Sequence, residues 1–158
     1  MRLLCRGRMP RVNMTYEILQ TVGRIGIPKK DILRVIALVL RSIGESDASL
    51  SAMFIGDWKM RRLNHEWRGK DRTTDVLSFS QREGKTSFPC TTELGDVFIC
   101  VPQVKRQAKE RGIPYREECF RMLIHGILHL AGYDHVRRAD AAVMLPLQES
   151  ILATCLSV

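Results

Sequence analysis

A single α+β domain, with about four strands and five helices, is what this sequence predicts. Three observations carry that expectation. The chain has 158 residues, a common size for one domain able to bury a proper core. Hydrophobic residues make up 45% and charged residues 27%, an ordinary globular balance that argues against general disorder. Short strand-like runs mix with helical periods in the first half. The second half instead places two long helices in succession, unlike alternating βαβ units.

The elements follow in order. Thr15 to Val22 reads as a first strand. Pro28 sits where the first turn of a helix tolerates it, and Ile32, Leu33, Val35, Ile36, Val39 and Leu40 recur at helical spacing up to Gly44. Lys29, Lys30, Arg34 and Arg41 read as that helix's solvated face. Ser49 to Gly56 is a strand in which Leu50, Ala52 and Phe54 keep the alternation and Met53 and Ile55 blur it. Asp57 is the expected N-cap of a short helix running to about Trp67. A polar turn, Arg68 to Asp75, leads to a strand at Val76–Ser80, and Gln81 to Thr92 reads as a loop. Gly95 to Val101 is the next strand, and Pro102 opens a helix to about Arg111. Another helix starts near Tyr115. A last one covers about Arg138 to Leu156, kinked or restarted at Pro146.

Charge and cysteines narrow the class. Lys and Arg number 25 against 17 Asp and Glu, a net charge of +8, which favours an anionic partner. No apolar run is long enough to span a bilayer, so nucleic acid is expected before membrane. Five cysteines (Cys5, Cys90, Cys100, Cys119 and Cys155) are widely spaced without a C-x-x-C, which fits reduced thiols in a cytoplasmic setting. Arg2, Arg6, Arg8 and Arg11 precede the first acidic residue, Glu17, and no apolar signal segment accompanies them. Residues 1–13 therefore read as a loose basic extension, with the folded domain covering 14–158.

The chemistry is concentrated in one stretch, His125-Gly-Ile-Leu-His129-Leu-Ala-Gly132-Tyr-Asp-His135. It holds three of the four histidines. Positions four apart share a helix face, so one ion can meet both His125 and His129. Gly132 frees the backbone to end the helix and lets His135 return toward the pair. Three neutral nitrogens with an open fourth position are how a catalytic zinc is held, whereas structural zinc takes four ligands rich in Cys. Imidazoles also suit nickel or copper. The spacing matches that of metzincin proteases, but those carry Glu directly after the first His, where this chain has Gly126. A protease mechanism therefore lacks its base. A zinc-activated water needs no strong base, because its pKa falls to about 7.

Arg68, Lys70 and Arg72 lie within five residues, and Arg68 can clamp a phosphate bidentately; exposed surface charge is the plain alternative. Asp134 can fix a ligand's tautomer or cap the next helix. Asp75 and Asp96 can point to the metal or be structural.

The stretch from His125 to His135 resembles the signature H-G-x-L-H-L-x-G-Y-D-H of the YbeY family of bacterial endoribonucleases. Leu63-Asn64, Arg68-Gly-Lys-Asp71 and Thr74-Asp-Val-Leu-Ser-Phe79 resemble a second hallmark, Leu94-Gly-Asp-Val97 a third, and Met144 with Leu147-Gln148 the closing helix. The resemblance spans about Met14 to Leu152. It departs at Thr73, where the family commonly has Pro, and in the extra basic segment before Met14.

The resemblance implies a metalloprotease-like (zincin-like) fold and one zinc per chain on His125, His129 and His135. It also implies cutting of single-stranded RNA, with Arg68 engaging phosphate and Lys70 and Arg72 beside it. The expected role is maturation of small-subunit ribosomal RNA, especially its 3′ end, and ribosome quality control in the cytoplasm. The ribosomal small subunit and assembly factors are the expected partners, and no membrane is. Two other readings stand beside it: an RNA-binding assembly factor braced by a structural metal, and a metal-dependent hydrolase of a small anionic metabolite.

Overall fold

The computed structural model describes residues 16–82 and 91–157. The expected basic extension, Cys5, Cys90 and most of the Gln81–Thr92 loop lie outside them. Four strands and five helices follow in the order β1 (Tyr16–Gln20), α1 (Lys29–Ser42), β2 (Ser49–Ile55), α2 (Asp57–Arg68), β3 (Val76–Ser80), β4 (Glu93–Cys100), α3 (Val101–Arg111), α4 (Tyr115–Leu130) and α5 (Arg138–Leu156).

The sheet order is β1-β2-β4-β3. β1, β2 and β4 are parallel, and β3 is an antiparallel edge strand on β4 (Val76 opposite Ile99, Ser80 opposite Gly95). The first half thus contains the parallel crossover β1-α1-β2, while the second half stacks helices.

One face of the sheet carries the main core. Ile32, Val35, Ile36, Val39 and Leu40 of α1 are fully buried there with Ala52, Phe54, Val97 and Ile99. Phe120, Leu123, Ile124, Ile127, Leu128 and Leu130 of α4 join them, and α5 adds Met144, Ile151, Leu152 and Cys155. Each such Leu, Ile or Phe contributes about 1.5–3 kcal/mol by leaving water. The other face holds a smaller cluster, Ile55, Met60, Leu77 and Cys100, with Met53, Leu63, Phe79 and Phe98 packed at its rim. This explains the blurred alternation of β2: its second face is covered by α2, so apolar residues stand on both.

Three expectations need correction. The N-cap of α2 is Gly56, not Asp57. Asp57 is the first helical residue, and its carboxylate takes Arg106 of α3 at 2.6 and 3.0 Å and the Cys100 thiol at 3.4 Å. Arg34 is half-buried rather than solvated, because α1 is covered along more than one side. α5 does not restart at Pro146 but runs through it as one helix. Pro146 and Ala142 are both exposed, so the carbonyl that loses its N–H partner faces water.

α5 is also, among the described residues, the helix whose length and hydropathy suit a membrane. Its buried stripe is spent instead on the core of this domain. Cys100, Cys119 and Cys155 are buried free thiols.

Candidate metal centre

α4 supplies two of the three imidazoles because its apolar residues seat it on the sheet. The seat is tightest at Gly126: a Cβ there would stand 2.6 Å from Val97 Cγ1 and 3.1 Å from Val76 Cγ2. The position that holds Glu in the proteases therefore faces the sheet at close approach, with no room for a side chain. Ser78 Oγ donates to the Gly126 carbonyl at 3.1 Å and Ser80 Oγ to the Leu130 carbonyl at 3.0 Å, which pins the edge strand β3 along the helix.

α4 ends in a tight double closure. Gly132 N–H donates to the His129 carbonyl and Tyr133 N–H to that of Leu128, both at 3.0 Å, with Gly132 at φ +94°. The chain then reverses. The Asp134 carboxylate accepts from the backbone N–H of His135 at 2.7 Å and of Val136 at 3.3 Å, which holds its carboxyl below the usual range. Asp134 thus shapes the turn that presents His135. It neither touches a ring nitrogen nor caps α5, whose N-cap is Arg137.

One nitrogen from each of His125, His129 and His135 lies within 4.8 Å of the other two. The Nε2 atoms of His125 and His129 are 3.1 Å apart. Around a tetrahedral ion with nitrogen bonds of about 2.0–2.1 Å, ligand atoms stand about 3.3 Å apart, so the pair is spaced for one ion.

The tautomer agrees. Gln148 of α5 donates from Nε2 to Glu149 at 3.0 Å, which turns its Oε1 toward His125 Nδ1 at 2.8 Å. His125 therefore carries its proton on Nδ1 and aims the Nε2 lone pair at the triad. Burial, with the neighbouring rings, lowers the pKa of His129 to about 4 and that of His125 below its ordinary value. Both are neutral near pH 7, the form that ligates a metal.

The triad opens on a cavity of about 530 Å³. Its walls include Arg68, Thr74, Asp75, Ser78, Ser80 and Tyr133. Asp75 is held by its neighbours: Oδ1 accepts from Val76 N–H at 2.8 Å and Oδ2 from Gln107 Nε2 at 3.0 Å. Its charge faces His125 and favours the protonated ring, against the larger effect of burial.

The structure thus brings together His125, His129, His135, Arg68 and Asp75. Lys70 and Arg72 are exposed and do not line the cavity, and neither does half-buried Asp96 on β4. Gln148, Ser78 and Ser80 were not singled out as site residues. The serines' spacing of two on a strand was a readable signal, whereas Gln148 reaches His125 only through the packing of α5 on α4.

Comparison with known proteins gives one family. A family model described as Endoribonuclease YbeY matches residues 20–155. The Endoribonuclease YbeY of Persephonella marina is 42% identical over 144 residues, covering 90% of this chain and 91% of its own length. That of a Sulfurihydrogenibium species is 43% identical over 126 residues, covering 79% and 82%. The solution structure of a Thermotoga maritima protein matches with a TM-score of 0.63 and 25% identity over 90% of each chain.

Proposed function

The chain belongs to the YbeY family of endoribonucleases, and from that premise we propose that it cuts single-stranded RNA at the His125–His129–His135 centre, with zinc as the metal. The cellular role that fits is maturation of the 3′ end of small-subunit ribosomal RNA and ribosome quality control, in the cytoplasm and on the ribosomal small subunit.

The observation that carries the reading is the open side of the triad. Three imidazoles converge, and no fourth His or Cys stands with them among the described residues. The three histidines and Arg68 line one cavity, so a substrate there would meet an ion held by the triad. A structural metal is closed by four ligands, so the geometry favours catalysis over a purely bracing role. When bound, the ion supplies Lewis acidity that acidifies water and polarises a phosphoryl oxygen.

The chain's own groups do the rest. Gln148 keeps the His125 lone pair inward. Ser78 and Ser80 hold the cavity's strand wall against α4. Arg68 offers a planar pair of N–H donors to a phosphate and to the negative charge that grows there during displacement. Lys70 and Arg72 add positive potential outside the cavity.

The test is cleavage of an end-labelled ribosomal RNA fragment by wild type and by His129→Ala purified in parallel, each with and without chelator. Cleavage by wild type that both chelator and substitution stop is the expected result. Equal cleavage by the two proteins would sink the reading. Tight, salt-sensitive RNA binding without turnover would put the assembly-factor reading in its place.

A further inference from the structure

The end of α2 carries charge that the fold does not compensate. From Arg61 to Arg72 the cations are Arg61, Arg62, Arg68, Lys70 and Arg72, against two carboxylates, Glu66 and Asp71. Both carboxylates are taken. Asp71 accepts from Arg61 at 2.7 and 2.8 Å, and Glu66 from Arg62 at 2.9 Å. Arg68, Lys70 and Arg72 are exposed, and among the described residues none has an acidic partner.

Immediately before them stands Trp67, 68% exposed. Its ring meets Phe79 edge-on at 5.5 Å between centroids, and Phe79 meets Phe98 the same way at 5.6 Å. One edge of the indole is buttressed while most of the ring stays in water. The turn is also fixed. The buried Asn64 side chain donates from Nδ2 to the Arg72 carbonyl at 2.8 Å, and the Asn64 backbone carbonyl accepts Lys70 N–H at 3.2 Å. A ligand that docks here pays little to order the loop.

The location matters as much as the composition. Arg68, the residue after Trp67, lines the metal cavity. Phe79 points to the opposite face of the edge strand β3 from Ser78 and Ser80, which line the cavity, so Trp67 stands around the sheet's edge from it. A held aromatic face beside uncompensated cations is how proteins grip unpaired nucleic acid: bases stack on the ring and phosphates follow the charge.

We infer that Trp67, with Lys70 and Arg72, forms a stacking platform on which an unpaired segment of RNA lies as it runs to Arg68 and the metal centre. This rests on the nuclease reading and adds a subsite to it. The bases of a duplex are stacked on each other and have no free face to offer. Trp58 provides the contrast within the same helix. It is 74% exposed but nine residues away, about 14 Å along the axis and on the opposite side. Arg62, already tied to Glu66, covers its ring at 5.7 Å.

The experiment uses the full chain and a fluorescent unstructured RNA oligonucleotide, with a duplex of the same sequence alongside. Binding is read by anisotropy in the presence of chelator, so that cleavage does not interfere. Trp67→Ala is expected to weaken single-strand binding about tenfold. Trp67→Tyr restores most of the loss, and Trp58→Ala changes binding by less than about twofold. In a Trp58→Phe background Trp67 is the sole tryptophan, and its fluorescence should be quenched by the single strand but not by the duplex.

Equal losses in Trp58→Ala and Trp67→Ala, or an unquenched Trp67, overturn the platform and leave the ring to another kind of partner. Wild-type cleavage of the same oligonucleotide with metal restored is scored in parallel. Cleavage without a Trp67 effect removes the platform alone, whereas no cleavage removes the nuclease reading.

Discussion

The two walls of the cavity are made in opposite ways. His125 and His129 come from α4, in which ten of sixteen residues are buried and a glycine lets the sheet approach to contact distance. Arg68 comes from the end of α2, a helix with only Met60 and Asn64 buried, and leads into an exposed turn. The metal wall is rigid because packing fixes it. The recognition wall is positioned by a few hydrogen bonds and keeps its charges in water. Chemistry that depends on angles and tautomers belongs on the first, and capture of a long, variable anion on the second.

Four substitutions sharpen that contrast. The largest effect is expected at the metal wall: His129→Ala should reduce RNA cleavage below detection, and metal content measured on the purified protein should fall with it. Next comes Arg68→Ala, which should lower kcat/KM by about 100-fold. Because Arg68 is exposed, its melting temperature should stay within about a degree of wild type. A large drop in melting temperature would show that the second wall is packed after all.

Gln148→Leu should weaken metal affinity about 10–100-fold in a chelator competition, by freeing the His125 ring to take the other tautomer. Unchanged affinity would mean that burial alone holds the ring. Gly126→Ala should destabilise the fold by about 1–3 kcal/mol, read by denaturant unfolding, because the new methyl overlaps Val97. A neutral result would show that α4 can lift from the sheet, and the metal wall would be softer than described.

Much of this was legible along the chain. The triad shows as spacing, since helix periodicity and a following glycine are local properties that do not wait for the fold. The strand at Val76–Ser80 and the helix from Tyr115 show for the same reason. Errors came where a partner distant in sequence intervened. Asp57 reads as a cap but faces Arg106, 49 residues away, and an ion pair won over the backbone N–H groups.

What the sequence by itself determined is the set of elements, the family and the three imidazoles, because each rests on short-range periodicity or on an ordered motif. Tertiary structure alone decided the rest. It placed Gln148 on His125 and set Gly126 against Val97, so that no side chain can stand where a protease keeps its base. It also put Arg68 in the cavity while leaving Lys70 and Arg72 outside. These are contacts between elements, fixed by how α4, α5 and the edge strand pack, and no local pattern encodes that packing.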